Sequence, residues 1–141
     1  DKTSNGRKIK RWRLNDARDA LLMKASHINH PSNIWLRQSK DNYIWLYQMW
    51  ACLLREYTYR YGKVHACARL IDVLAEIPHN LQDVPFNEPT PAMPDECKIP
   101  NDSLKSYHKY YNERKTHFAK WTKRDMPPWY SPVILNNNAN I

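Results

Sequence analysis

Residues 42–61, NYIWLYQMWACLLREYTYRY, limit what this chain can fold into more than any other stretch. Ile44, Tyr47, Ala51, Leu54 and Thr58 recur at helical spacing. Trp45, Met49, Trp50, Cys52 and Leu53 widen that stripe nearly all the way round. A helix apolar on most of its sides belongs at the buried centre of a helical domain. Asp41 stands where an N-cap is wanted, and Gly62 where a helix stops in the left-handed conformation. The chain has two glycines in all, few β-branched runs and no alternating strand pattern. The predicted fold class is therefore all-α.

The flanking sequence breaks into further helices. Asn15 or Asp16 is placed to cap a helix through Met23 or Lys24, with Asp19 in its first turn. Pro31 fixes its own φ and pushes His30 out of the α region, so a break falls there. Ser32 then caps a brief helix to about Ser39 that turns Trp35 and Leu36 inward. After Gly62 a helix over 64–77 carries a core stripe of Val64, Cys67, Leu70, Ile71 and Leu74. Residues 78–101 contain six prolines and no period. They read as a long proline-rich loop between the third and last helices, not counting the brief turn after Pro31. Asp102 or Ser103 caps the last helix, which runs on until Pro127-Pro128 stops it. Leu104, Tyr107, Tyr111, Phe118 and Trp121 form its inner face. The expected organisation is a basic arm over 1–14, one compact helical domain over 15–130 and a disordered tail over 131–141.

With 141 residues the chain is long enough for one core. Three cysteines, Cys52, Cys67 and Cys97, make no disulfide framework, so a reducing, cytoplasmic setting is expected. No apolar run is long enough to span a membrane, and no signal peptide is visible. His27, His30, His65, Cys67 and Cys97 lack the tight spacing of a zinc site, so no metal is expected. No glycine-rich phosphate loop is present, and no cofactor is expected.

The charge pattern is more informative. Net charge is +8 with a pI near 9.5. Between Ser103 and Tyr130 seven Lys or Arg face two acids, interleaved with seven aromatic residues. Cations neutralise phosphates, and ring faces suit unstacked bases. Nucleic acid is thus the first partner to consider, specifically double-stranded DNA. Glu56 and Arg60 are i,i+4 neighbours suited to an ion pair, and Glu56 is a weak catalytic candidate at best. The residues expected at DNA are Arg11 and Arg13 of the arm; His30 and Arg37; Arg60, Lys63 and His65; Lys109, Lys120, Lys123 and Arg124; and Trp129 and Tyr130. The arm, Arg60 with Lys63, and the Lys120–Arg124 end of the last helix are expected to share one basic face.

Four blocks, NHPSNIWLRQSKDNYIWL, EYTYRYGKVH, AMPDECK and YYNERKTHFAKWTKRDMPPWY, resemble a group of mostly phage-encoded proteins. These are the pyrimidine-dimer DNA glycosylases of the endonuclease V type. The resemblance spans roughly residues 22–130. It implies a compact helical enzyme in which an amine attacks the sugar C1′ beside a damaged pyrimidine. A Schiff base forms, and β-elimination nicks the strand. The framework positions that match are His30, Trp35, Arg37, Glu56, Arg60, Lys63, His65, Trp121, Lys123 and Trp129. In that family the nucleophile is the α-amine of an N-terminal Thr, assisted by a carboxylate on the first helix. Here the chain starts at Asp1, and Thr3 is neither first nor followed by an acidic helix. Neither group is carried over. The expectation is a fragment without its catalytic start, or a relative that has lost the chemistry. The alternative is a noncatalytic nucleic-acid-binding protein, or a structural component met by virion or replication proteins. A third possibility is a docking domain for an acidic protein.

Overall fold

A computed structural model of the chain describes residues 5–133. Among the described residues there are helices, 3-10 turns and irregular segments, and no β-strand. The helices are α1 (Arg18–Leu21), α2 (Pro31–Leu36), α3 (Lys40–Tyr61), α4 (Ile71–Ala75) and α5 (Ser103–Arg114). Two 3-10 turns, Ala66–Leu70 and Asp95–Cys97, precede α4 and α5. The chain divides into two compact units, Asp1–Phe86 and Asn87–Ile141.

In the first unit, α3 is the single long helix of 22 residues that its sequence predicts, but it is not the buried centre expected. Only Asn42 is buried, and Trp45, Met49, Cys52 and Leu53 are exposed, because the six- and five-residue helices α2 and α4 are too short to cover them. Its N-cap is Ser39 and not Asp41, which lies in the first turn. The Ser39 hydroxyl accepts from the backbone N–H groups of Asp41 and Asn42 at 3.0 and 3.4 Å. It also donates to the carbonyl of Val84 at 2.6 Å. The Lys40 N–H donates to the Gln82 carbonyl at 2.9 Å, so residues 82–84 are laced to the start of α3. Asn42, fully buried, donates its side-chain amide to the Trp35 carbonyl at 2.9 Å. Trp35 is buried in turn and meets Trp45 and Phe86 edge to face, with centroids 5.9 and 6.1 Å away. Edge-to-face rings at this spacing place a positive rim on a negative face. Gly62 ends α3 at φ 65°, where a Cβ would be strained.

The neighbours of α3 are shorter than their sequences suggest. The α1 helix covers four residues, because Asp16 folds onto Arg18 and does not cap a longer helix. That hydrogen bond from the Arg18 guanidinium holds the Asp16 carboxyl down at about 2. The α2 helix is capped by His30 and not by Ser32: its Nδ1 accepts from the Ser32 N–H at 3.2 Å, with Pro31 in the first turn. The 64–77 stretch is a 3-10 turn followed by the five-residue α4. Val64 is 73% exposed and falls outside the core, while Leu70 is buried. Tyr43 and Tyr47 tie α3 to α4 by donating their hydroxyls to the Leu74 and Ile71 carbonyls at 2.8 and 2.9 Å. With both hydroxyls so engaged, an almost wholly apolar groove of about 370 Å³ runs along α3, lined by Met23, Leu46, Met49, Trp50, Leu53 and Cys67 among others.

In the second unit, α5 carries the proline-rich segment. Asp102 caps it by accepting from the Lys105 N–H at 2.9 Å, and this bond lowers the Asp102 carboxyl below its usual range. The buried face of α5 is not the aromatic stripe. Ser103 and Ser106 are buried, while Leu104 is 65% exposed and Tyr111 and Phe118 are exposed too. The Ser103 hydroxyl donates to the Pro89 carbonyl, and the Ile99 N–H donates to the Ser106 hydroxyl at 2.8 Å. Hydroxyls reach the orphan backbone groups of a proline-rich chain, which cannot pair with itself. Cys97 is fully buried, with its thiol 3.8 Å from a Glu113 carboxylate oxygen. The helix ends at Arg114, about three turns short of the predicted stop, and residues 115–133 fold back as turns. Asn112 receives that return: its Oδ1 accepts from the Ser131 N–H at 2.9 Å, and its carbonyl accepts from the Val133 N–H at 3.0 Å. The tail expected over 131–141 falls outside the described residues from 134 onward.

Candidate nucleic-acid interface

The first unit offers scattered cations, most of them with internal work. In the arm, Arg13 is exposed and Arg11 is half-buried. Both border a small pocket with Trp12, Asp19 and Leu22. The Lys10 ammonium lies over the Trp12 ring at 5.1 Å. Arg37 donates to the Ile28 carbonyl at 2.7 Å and so closes the loop ahead of α2. His30 is a helix cap, and His65 plays the same part for the 3-10 turn: its Nδ1 accepts from the Cys67 N–H at 3.1 Å. With Nδ1 accepting, the ring proton sits on Nε2, the nitrogen through which either histidine would meet a phosphate.

The cluster at the end of α3 is built around Tyr57. The Tyr61 ring lies 4.9 Å away, and the His65 ring meets Tyr57 edge-on at 4.8 Å. Glu56 and Arg60 are half-buried and form an ion pair at 2.7 Å. Arg60 sits in the last turn of α3, where the negative end of the helix dipole favours a cation and disfavours a phosphate. Lys63, just past Gly62, is exposed. Glu56 and Arg60 thus form the i,i+4 ion pair expected of their spacing, while His65 packs on Tyr57.

In the second unit four cations, along α5 and just ahead of it, have partners on the chain. Lys98 pairs with Asp95 at 2.7 Å, which lowers the Asp95 carboxyl. Lys105 pairs with Asp102 at 3.3 Å, and Lys109 donates to the Glu96 carbonyl. Arg114 reaches the Glu96 carboxylate at 2.7 Å. Beyond the helix the balance changes. Residues 114–124, RKTHFAKWTKR, hold five Lys or Arg and no acid. Lys120, Lys123 and Arg124 are all exposed, and Lys123 adopts φ 56° in a tight turn. The exposed Lys120, Lys123 and Arg124, within five positions of one another, are suited to phosphate oxygens.

The aromatic residues follow their sequence reading in part: Tyr107 and Trp121, read as inward, are half-buried, whereas Tyr111 and Phe118 are exposed. Tyr130 is buried and packs on Trp121 at 4.6 Å. Trp129 is half-buried beneath the flat face of His108. These rings hold the returning segment to α5. Phe118, expected in the core, is 49% exposed. The Lys115 ammonium stands 5.0 Å from its centroid and 4.9 Å from that of Tyr110. Sequence reading missed Phe118 and Lys115 as surface partners. The signal was there: Phe118 has Arg114 and Lys115 at i−4 and i−3, where a buried helical residue wants apolar neighbours.

Among the described residues no group of three or more His, Cys, Asp or Glu could hold a metal ion. No helix among them is long and apolar enough to cross a membrane. Compared with family models, curated proteins and solved structures, the chain matches none.

Proposed function

We propose that this protein binds DNA, and that it does so in the manner of a damage-directed glycosylase and abasic-site lyase. The observation that carries the binding is the acid-free stretch 114–124, which holds the exposed cations Lys120, Lys123 and Arg124 and one exposed aromatic ring, Phe118. Cations at that density bind a phosphodiester backbone by releasing its counterions. A damaged site would be favoured because its bases cost less to unstack. The repair chemistry rests on the four sequence blocks alone. On this reading an amine displaces the damaged pyrimidine from C1′, the sugar ring opens to a Schiff base, and β-elimination breaks the C3′–O bond and releases the 3′ phosphate; at an existing abasic site the amine condenses with the C1′ aldehyde and water leaves instead.

The test has two arms. Labelled duplexes, intact or carrying one abasic site, are titrated between about 50 and 200 mM salt, where a few phosphate contacts change affinity by orders of magnitude. Affinity that falls steeply with salt supports the binding reading, and salt-independent or absent binding removes it. The same abasic duplex is then incubated with the protein and borohydride. A trapped covalent adduct supports the lyase. Its absence leaves the second reading, binding without chemistry. The Glu56–Arg60 pair favours that second reading, since a carboxylate tied to a guanidinium stabilises charge more readily than it moves protons.

A further inference from the structure

Phe118 is one of several large apolar side chains that the fold leaves exposed, and it stands in the most basic stretch of the second unit. It is half exposed in a segment where Trp121, Trp129 and Tyr130 cover one another. Its own contacts are the edge of His117 at 4.8 Å and the Lys115 ammonium. The same ammonium also faces the Tyr110 ring, so one cation sits against two aromatic faces. A single exposed Phe is ordinary on a protein surface. An exposed Phe among five Lys or Arg and no acid is a different case, because the local ligand is then an anion with something flat to offer.

A phenyl ring has no donor or acceptor with which to read a groove edge. Intact duplex keeps its base faces inside its own stack and shows the protein phosphates and groove edges. Phe118 is therefore of use only to a base that is out of the stack, and every base has a π-face to give it. We propose that Phe118, with Lys115 over one side of its ring and the exposed Lys120, Lys123 and Arg124 in the same segment, is a stacking site for unpaired nucleotides. The preferred ligand of the second unit is then a single strand, or the unpaired stretch of a distorted duplex. This rests on the nucleic-acid reading above and narrows it from DNA in general to unpaired strands.

The experiment compares a labelled oligothymidylate of about 15 nucleotides with a duplex of about the same length, a span that suits one stacking site and its flanking cations. The full chain is used as wild type, Phe118→Leu and Phe118→Trp. Leu keeps apolar bulk at a half-exposed position and removes the ring, so the thermal transition should not move. The expected result is a roughly 5- to 100-fold loss of oligothymidylate affinity in Phe118→Leu, recovered in Phe118→Trp, with duplex affinity changed less than about twofold. An equal loss on both ligands, or no loss on the single strand, overturns the stacking site while leaving DNA binding in place. No binding to either ligand by the wild type overturns both readings.

Discussion

The imidazole of His108 lies flat on the indole of Trp129, centroids 4.2 Å apart and planes 5° from parallel. Tyr111 closes the arrangement edge-on, 6.2 Å from the same indole. One face of Trp129 is thereby covered by a residue of α5. Trp129 acts as a clasp between the helix and the returning chain, and it has little ring left for a base. Trp129→Leu should destabilise the second unit by about 2–3 kcal/mol through lost ring packing. At temperatures where the variant is folded, its oligonucleotide affinity should stay within about twofold of wild type. Chemical denaturation and anisotropy titration check the two halves. A stable variant with weakened binding would return Trp129 to the ligand surface.

Ser39 holds two segments with one hydroxyl. Ser39→Ala removes an N-cap and leaves the Val84 carbonyl without its donor. The expected cost is about 1–3 kcal/mol. Ser39→Gly separates the parts, because glycine is a tolerable cap but equally lacks the hydroxyl for Val84. Equal losses in the two variants would show that the bond to Val84 dominates. No loss in either would contradict the assignment of Ser39 as the cap.

Tyr43 gives a prediction in pH. Burial raises its phenol above the ordinary value, and nearby Tyr47 adds to the rise. A group whose proton is held more tightly in the folded state contributes stability in full below the unfolded value of about 10. That contribution disappears as pH climbs through the folded value. Wild-type melting temperature should therefore fall more steeply than that of Tyr43→Phe between about pH 10 and 12. Parallel curves would contradict a buried, donating phenol.

Glu56 and Arg60 separate stability from activity. Glu56→Gln keeps the shape and removes the charge of a pair less than a third exposed on either side. The expected loss is about 1 kcal/mol, with DNA affinity unchanged. Unaltered stability with altered handling of an abasic duplex would make Glu56 a participant in chemistry.

Lys123 takes the left-handed conformation that asparagine also tolerates. Lys123→Asn should preserve the turn and the melting temperature. If Lys123 meets a phosphate, the salt dependence of binding should flatten by about 0.7–0.9 in logarithmic slope. An unchanged slope would remove it from the backbone contacts.

Local signals were legible where one residue type has one physical answer. Gly62 ends α3 because the position needs a positive φ, and Pro31 breaks the chain because its ring forbids α geometry before it. The length of α3 followed from its near-continuous apolar surface, but its burial did not, since the short helices beside it leave Trp45, Met49 and Leu53 exposed. What failed were choices settled at long range. Asp41 and Ser39 are both good caps, and the bond to Val84 decides between them. The last helix was read too long because Phe118 and Trp121 continue the period of Tyr107 and Tyr111. Trp121 instead finds Tyr130, a partner reachable only if the chain turns back. The packed side of α5 is marked by Ser103 and Ser106, and serine carries no hydrophobic signature by which to find it. His30 and His65 also carry a role that sequence did not show, since an imidazole Nδ1 caps a helix or turn just as a carboxylate does.

The Ser39–Val84 bond spans 45 positions, so the opening turn of the longest helix waits on a segment that emerges from the ribosome much later. Helix growth should start near Gly62 and zip backwards, leaving residues 40–42 frayed until the stretch 82–84 arrives to complete them. A nascent chain halted before Gln82 would then keep the far turns of α3 but lose protection of the amides at Asp41 and Asn42.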